Sequence, residues 1–234
     1  QWRRLLPDGK VSRRRLVKIT LPKIYPVTDK RISGLTHLEQ VSRLIAGGAS
    51  IIQLRDKSAN AGEFYQAAAE VVTFANRQGV KIIINDRADI ALASGAAGVH
   101  LGQEDLSPIH ARDLLGPNAI IGFSTHSLAQ AEAALALPVD YLAIGPIFAT
   151  STKTDHDPIV GLDGLRAVRK LDPNIPVVAI GGVDRGNAEL VIGSGADCVA
   201  TIRDLLGEPS AITERTRELR LLLRDRLINI VGNS

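Results

Sequence analysis

From Lys23 onward, short β-branched apolar runs alternate with longer stretches whose apolar residues recur at helical spacing. The runs predict strands at Ile24–Thr28, Ile51–Leu54, Lys81–Ile84, Gly98–Leu101, Ala119–Phe123, Tyr141–Ile144, Val177–Ile180 and Cys198–Thr201. The spacing between them predicts helices over roughly 36–46, 61–78, 87–94, 107–115, 127–136, 161–171 and 184–193, with a last one over about 210–228. Val71, Phe74 and Ala75 share one helical face, as do Leu219, Leu222 and Leu223. The strands are nearly continuous apolar runs rather than alternating ones, which is the pattern of parallel strands covered on both faces.

Eight strand–helix units in about 205 residues is the count for a single (β/α)8 TIM barrel, an α/β fold. Three helices run into the next strand through a shared cadence: Gly48-Ala-Ser, Gly95-Ala-Ala and Gly195-Ala-Asp. Glycine there supplies the left-handed residue that closes a helix, and the repetition supports one recurring unit. The rival is a doubly wound open sheet. It wants a glycine-rich loop after the first strand, and Val27-Thr28-Asp29-Lys30 is not one. The barrel is the expectation.

Composition narrows the class. The 234 residues are 45% hydrophobic and 23% charged, enough to bury a sizeable core, and no apolar run nears the roughly 20 residues that span a bilayer. A membrane role is therefore not expected. One cysteine excludes an internal disulfide and a multi-cysteine metal cluster. Cys198 lies in an apolar run, where a small buried hydrophobe is the expected role, in keeping with a cytoplasmic setting. The net charge of +3 conceals an asymmetry: residues 1–23 carry +7 and the remainder −4. The organisation read from this is a basic N-terminal arm over 1–22 and a barrel over 23–234. The arm lacks the apolar core of a secretory signal. The acidic balance of the body argues against nucleic acid as the main partner.

Polar residues collect where the predicted strands end, the face on which such barrels carry their active sites. In Gln53-Leu-Arg-Asp-Lys57, alternation points Gln53, Arg55 and Lys57 the same way, and two cations one pleat apart suit a multiply charged anion. Solvated charges at a strand end are the alternative. Asp86 and Asp105 fall just past adjacent strands and could converge on one hard cation such as Mg2+. Each could instead cap the helix that follows it. Ser124 could donate a hydrogen bond to substrate, but no acid completes a Ser-His-Asp set with His126. The long loop from Gly145 to Gly161 suggests a lid, with Thr150, Thr152 and Lys153 able to close over phosphate oxygens. Gly181-Gly182 and the segment near Arg203 fall in the loops that form the usual phosphate site of these barrels. The residues alone thus support two anion sites, one with a metal, for two phosphorylated substrates or one bisphosphate.

Taken in order, the motifs resemble the thiamin phosphate synthase family across about 180 residues, from Tyr25 to Leu205. They are Val27-Thr-Asp29, Gln53-Leu-Arg-Asp-Lys57, Ile84-Asn-Asp-Arg87, Gly98-Val-His-Leu-Gly-Gln-Glu-Asp105, Gly122-x-Ser-x-His126, Gly145-Pro-Ile-Phe148, Thr150-x-Thr-Lys153, Ala179-Ile-Gly-Gly182 and Gly195-Ala-Asp197. The resemblance implies a magnesium-dependent transferase. It would condense hydroxymethylpyrimidine diphosphate with hydroxyethylthiazole phosphate, giving thiamin phosphate and diphosphate by a dissociative route. It also implies diphosphate against Gln53, Arg55, Lys57, Asn85 and Lys153, and Mg2+ at Asp86 and Asp105. Ser124 would lie near the pyrimidine and leaving group, and Thr150, Thr152, Gly182 and the backbone near Ile202 on the thiazole-phosphate side. Arg55, Ser124 and Lys153 are the residues expected to carry catalysis.

Two positions depart from the family pattern. Arg203 stands where serine is common, and Ala149 where proline is common. Arg203 could bind the phosphate, pair with Asp204 or obstruct the site. Two alternatives accompany the synthase reading: a thiazole tautomerase on the same barrel, and a non-catalytic barrel whose arm binds a polyanion. The expected partners are small phosphorylated molecules, and self-association into a homo-oligomer is left open.

Overall fold

A computed structural model describes residues 19–150 and 158–224. The eight strands are β1 (Ile24–Pro26), β2 (Ile51–Leu54), β3 (Lys81–Asn85), β4 (Gly98–Leu101), β5 (Ile120–Thr125), β6 (Tyr141–Ile144), β7 (Val177–Ile180) and β8 (Cys198–Thr201). All pair in parallel, in the order β1-β8-β7-β6-β5-β4-β3-β2. The ring closes between β1 and β2 through a parallel bridge at Val27 and Gln53, beside a 2.9 Å bond from the Thr28 amide to the Gln53 carbonyl. This is the expected (β/α)8 barrel.

Helices follow the strands: α1 (Lys30–Ser33) and α2 (His37–Ala46), α3 (Ala61–Arg77), α4 (Ala88–Ser94), α5 (Pro108–Leu115), α6 (Leu128–Ala134), α7 (Gly161–Leu171), α8 (Ala188–Gly193), α9 (Arg203–Leu206) and α10 (Ile212–Arg224). Capping boxes start α2 at Thr36 with Glu39 and α3 at Asn60 with Glu63, each fixing two orphan N–H groups. The helix read at 184–193 starts later, at Ala188, because Asp184 spends its carboxylate on the Gly186 and Asn187 amides in a turn. The cadence glycines hold positive φ as expected: 95° at Gly48, 68° at Gly95 and 112° at Gly195. Residues 1–18 of the basic arm lie outside the described residues, as does the end of the helix expected to reach 228. Among the described residues no helix is long and apolar enough to cross a membrane.

Alternation along the strands sorts the core into two clusters. Outward residues such as Ile52, Leu54, Ile82, Ile84, Val99, Leu142 and Val199 pack under the helices. Inward residues, including Tyr25, Ile51, Ile83, Ile120, Tyr141, Val178 and Cys198, fill the barrel. Cys198 is fully buried there, and burial pushes its thiol well above the ordinary range, so it acts as a small hydrophobe. Two inward positions must be glycine. A Cβ on Gly122 would lie 2.0 Å from the Tyr141 ring, and one on Gly98 would lie 1.9 Å from the Ile120 carbonyl oxygen.

Backbone has no flexible end to swing aside, so Gly98→Ala is expected to destabilise the protein by about 3 kcal/mol, the upper part of the overpacking range. Urea denaturation followed by circular dichroism measures this. A midpoint equal to that of the parent chain would contradict the close β4–β5 approach.

Candidate active site

The inward positions nearest the C-terminal strand ends are polar. Gln53, Asn85, His100 and Ser124 occupy them on β2, β3, β4 and β5, directly above the apolar filling of the barrel. Gln53, Asn85 and His100 are buried and Ser124 is partly buried. The two histidines of this region hold structure: His126 donates from Nδ1 to the Gly145 carbonyl at 2.7 Å, and His100 lies between Tyr141 and Ser124.

Arg55 continues the inward face of β2 and is buried against Asp29, with Nη1 2.7 Å from Oδ2. The Arg55 amide donates to the Thr28 hydroxyl at 3.1 Å. Asp29 also caps α1 and receives Arg31 Nε and Nη2 at 3.1 and 2.9 Å. Burial works against the Asp29 charge, yet the Arg31 hydrogen bonds and the nearby Arg55 and Arg31 cations hold its carboxyl below the ordinary range. Beneath this pair, Asp56 gathers Lys30 at 2.7 Å, Ser58 Oγ at 2.7 Å and His37 Nε2 at 3.1 Å. Burial opposes that charge too, and the hydrogen bonds from Lys30 and Ser58 overcome it, so Asp56 stays ionised. His37 is lowered by its own burial. Sequence reasoning missed Asp29, Lys30, His37 and Asp56 as a supporting set. Asp29 lay inside a quoted motif, but only the fold shows that β1 delivers it to Arg55.

Lys57 donates to Asp86 Oδ2 across the β2–β3 boundary. Asp86 has a φ of 64°, and the Arg87 amide bonds the Asn85 carbonyl at 2.8 Å, so Asp86 is the centre of a γ-turn. Aspartate is one of the few side chains that tolerate this left-handed backbone, which turns its carboxylate toward the mouth of the barrel. Asp105 accepts from the Gly102 amide at 2.7 Å. Its carboxyl is pushed up to about 6, first by burial and then by the charge of Asp86 beside it. The capping alternative fails for both aspartates. Arg87 precedes α4 without a side-chain cap bond, and Ser107, not Asp105, caps α5. The two carboxylates therefore crowd each other, as a shared cation would require, with the Lys57 ammonium already against one of them. Among the described residues no group of three His, Cys, Asp or Glu side chains comes together as metal ligands. Two carboxylates with the remaining positions left to water and phosphate oxygens fit Mg2+, which binds in that manner.

The opposite side of the mouth is built from backbone. Gly181 and Gly182 have φ values of 93° and 66°, and a Cβ on either would strike the Pro146–Ala149 segment within 2.8 Å. These glycines are thus demanded by the packing of the β6 and β7 loops as well as by any ligand. Ile202 precedes α9, whose first residue, Arg203, is exposed. Asp204 pairs with Arg185 at 3.1 Å rather than with Arg203, which removes one of the three roles open to that arginine. Thr150 is partly buried, and Thr152 and Lys153 lie outside the described residues.

The family described as thiamine monophosphate synthase matches residues 24–205. The chain is 48% identical over 198 residues to the thiamine-phosphate synthase of Koribacter versatilis, covering 82% of this chain and 92% of that one. It is 42% identical over 202 residues to the corresponding Chloroflexus aurantiacus enzyme, covering 86% and 92%. Among solved structures it resembles the thiamine phosphate pyrophosphorylase of Pyrococcus furiosus with a TM-score of 0.80 and 36% identity, over 88% of this chain and 96% of that chain.

The crowded carboxylates set a pH signature. In the metal-free protein the Asp105 side chain should titrate near pH 6, and Asp86→Asn should lower that midpoint by removing the neighbouring charge. The native state then holds a proton at Asp105 that the unfolded chain has already released, so this site costs stability as pH rises through about 6. Asp29 and Asp56 act in the other direction, their support being present above the ordinary carboxylate range and lost as pH falls below it. Carbon-13 NMR of the labelled aspartate carboxyls measures all three.

Proposed function

We infer that this chain, which belongs to the thiamine monophosphate synthase family, condenses hydroxymethylpyrimidine diphosphate with hydroxyethylthiazole phosphate to give thiamin phosphate and diphosphate. The observation that carries the reading is the cation strand Arg55–Lys57 set beside the crowded Asp86–Asp105 pair at the mouth of the barrel. The tautomerase and polyanion-binding alternatives gain no support from the relatives.

In this reaction the bond between the pyrimidine methylene and the diphosphate breaks first. The aminopyrimidine ring spreads the positive charge left behind, and the thiazole nitrogen then forms the new C–N bond. No enzyme nucleophile is needed. The work of the protein is to stabilise charge that develops on the leaving diphosphate and to hold two partners in register. Arg55 and Lys57 supply positive charge to that diphosphate, joined by Gln53, Asn85 and Lys153. Asp86 and Asp105 would hold Mg2+, which when bound neutralises phosphate charge as a Lewis acid. Lys57 then leaves Asp86 for a phosphate oxygen, a short movement for a half-exposed, flexible side chain. Ser124 offers a hydroxyl to the pyrimidine diphosphate. Thr150, Thr152, Gly182 and the Ile202 backbone receive the thiazole phosphate. Small phosphorylated substrates and a single buried thiol suit a cytoplasmic enzyme.

Incubating the protein with both substrates and magnesium, with thiamin phosphate read as fluorescent thiochrome, is expected to give magnesium-dependent product. Asp105→Ala and Arg55→Ala should each lower turnover by about 10²–10³-fold, the usual loss when one element of an electrostatic site is removed. Folded protein that forms no product would overturn the synthase reading.

A further inference from the structure

The inward layer holds an unbroken line of hydrogen bonds that crosses the barrel. Gln53 Nε2 lies 3.5 Å from the Tyr25 hydroxyl, which lies 3.0 Å from the Tyr141 hydroxyl. Tyr141 Oη is 2.9 Å from His100 Nδ1, and His100 Nε2 is 2.8 Å from Ser124 Oγ. The line draws on β2, β1, β6, β4 and β5 in turn, so it joins the diphosphate end of the proposed site to its pyrimidine end.

We propose that this line has one direction, which fixes His100 as the neutral Nε2–H tautomer and aims the Ser124 hydroxyl proton at an acceptor atom of the bound pyrimidine diphosphate. The inference rests on Ser124 lying in the substrate site proposed above. The direction follows from counting protons. The Gln53 amide nitrogen can only donate, so the Tyr25 oxygen accepts from it, and the Tyr25 proton goes to Tyr141. Tyr141 then has its own proton to give, and His100 Nδ1 receives it. A neutral imidazole that accepts at Nδ1 carries its proton at Nε2, which faces Ser124. Ser124 accepts there, and its proton is left to point into the mouth.

Two features hold the line in place. Tyr25 and Tyr141 are fully buried, and burial raises both phenols far above neutral pH, so neither supplies a phenolate that would reverse the order. The Tyr141 and His100 rings stack at 5.6 Å with planes 16° apart, and Gly122 leaves the space that the Tyr141 ring fills. Tyr141, Tyr25 and His100 are accordingly positioning residues that act through Ser124. The reversed order would leave the Tyr25 oxygen accepting twice while its own buried proton had no acceptor in the line, a cost that the forward order avoids.

The test joins a spectrum to a double-mutant cycle. Long-range nitrogen-15 NMR of the histidine-labelled protein, with the His100 signal assigned by its loss in His100→Gln, should show an Nε2–H ring with unprotonated Nδ1 at neutral pH. An Nδ1–H tautomer or an imidazolium would overturn the proposal. In the thiochrome assay, Tyr141→Phe should lower kcat about tenfold, the scale of one lost hydrogen bond, and leave KM for the pyrimidine diphosphate within about twofold. Added to Ser124→Ala, the same change should cost nothing further. Equal losses in both backgrounds would overturn the coupling. His100→Gln, whose amide can still donate at the Nε2 position, should retain more turnover than His100→Asn, which cannot reach Ser124, and the opposite order would also overturn it. Should Tyr141→Phe fail to fold, the parent spectrum still decides. A parent chain that turned over no substrate would sink the synthase reading while leaving the tautomer legible.

Discussion

The hydrogen bond between the Tyr25 and Tyr141 hydroxyls, 3.0 Å long at the centre of the barrel, is the contact on which the mouth is built. A barrel of eight strands has an interior just wide enough for side chains to fill, and two phenols meeting edge to face at 6.0 Å fill it from opposite walls. Such a pair is costly to bury unless every polar atom finds a partner. That requirement places an amide on one side of the phenols and an imidazole on the other, which puts Gln53 and His100 in the next layer up. The apolar filling below and the polar layer above are thus one arrangement: the phenols are the boundary at which hydrocarbon packing gives way to directed hydrogen bonds.

Charge is managed differently. Among the described residues, the two cations expected at the diphosphate already sit on carboxylates, Arg55 on Asp29 and Lys57 on Asp86. The two pairs are not equivalent. The Arg55–Asp29 pair is buried, its carboxylate is tied further to Arg31, and its geometry is fixed before any ligand arrives. Breaking a buried pair costs about 3–5 kcal/mol, so Arg55 approaches a ligand with Asp29 still attached. Lys57 is half exposed, and little is lost when it changes partner. One cation is therefore preorganised and the other exchangeable. In the reaction proposed, the exchange frees Asp86 at the moment a metal and a diphosphate need it.

How much of this was legible in the sequence follows from the range of each interaction. Five strands, β2, β4, β6, β7 and β8, have the bounds their apolar runs predict, because a strand buried on both faces leaves an unambiguous local pattern. β5 runs on to Thr125 because its last two residues are polar but still pair with β6, which hydropathy alone does not register. The four-residue helices α1 and α9 went unread, being too short for a helical period to show. The residues at the mouth were legible as a set, since parity and strand ends place Gln53, Arg55, Asn85 and Ser124 without tertiary knowledge. Their partners were not. Asp29 sits at the cap of α1 and Tyr25 and Tyr141 in ordinary strand sequence, and their contacts span 26, 28 and 116 positions along the chain. The capping reading of Asp86 and Asp105 was locally sensible, and it failed because Ser107 took one cap and a γ-turn turned Asp86 away from the other.

In the reaction proposed, the two sides of the mouth would hold their anions by different means, and the strands explain why. Strands β2 to β5 end in side chains, whereas β7 and β8 end in Gly181-Gly182 and the Ile202 backbone. A leaving diphosphate gains charge during the reaction, so the groups facing it must match that gain, which calls for cations and a metal. A thiazole phosphate keeps its charge throughout and needs only to be held still, a task that backbone N–H groups perform without a mobile side chain. Arg203 fits this division. It stands exposed at the start of α9, while Asp204 is held by Arg185, which also pairs with Glu218 of α10. The loop after β8 is therefore anchored through its aspartate. The exposed Arg203 side chain takes no part in that anchor.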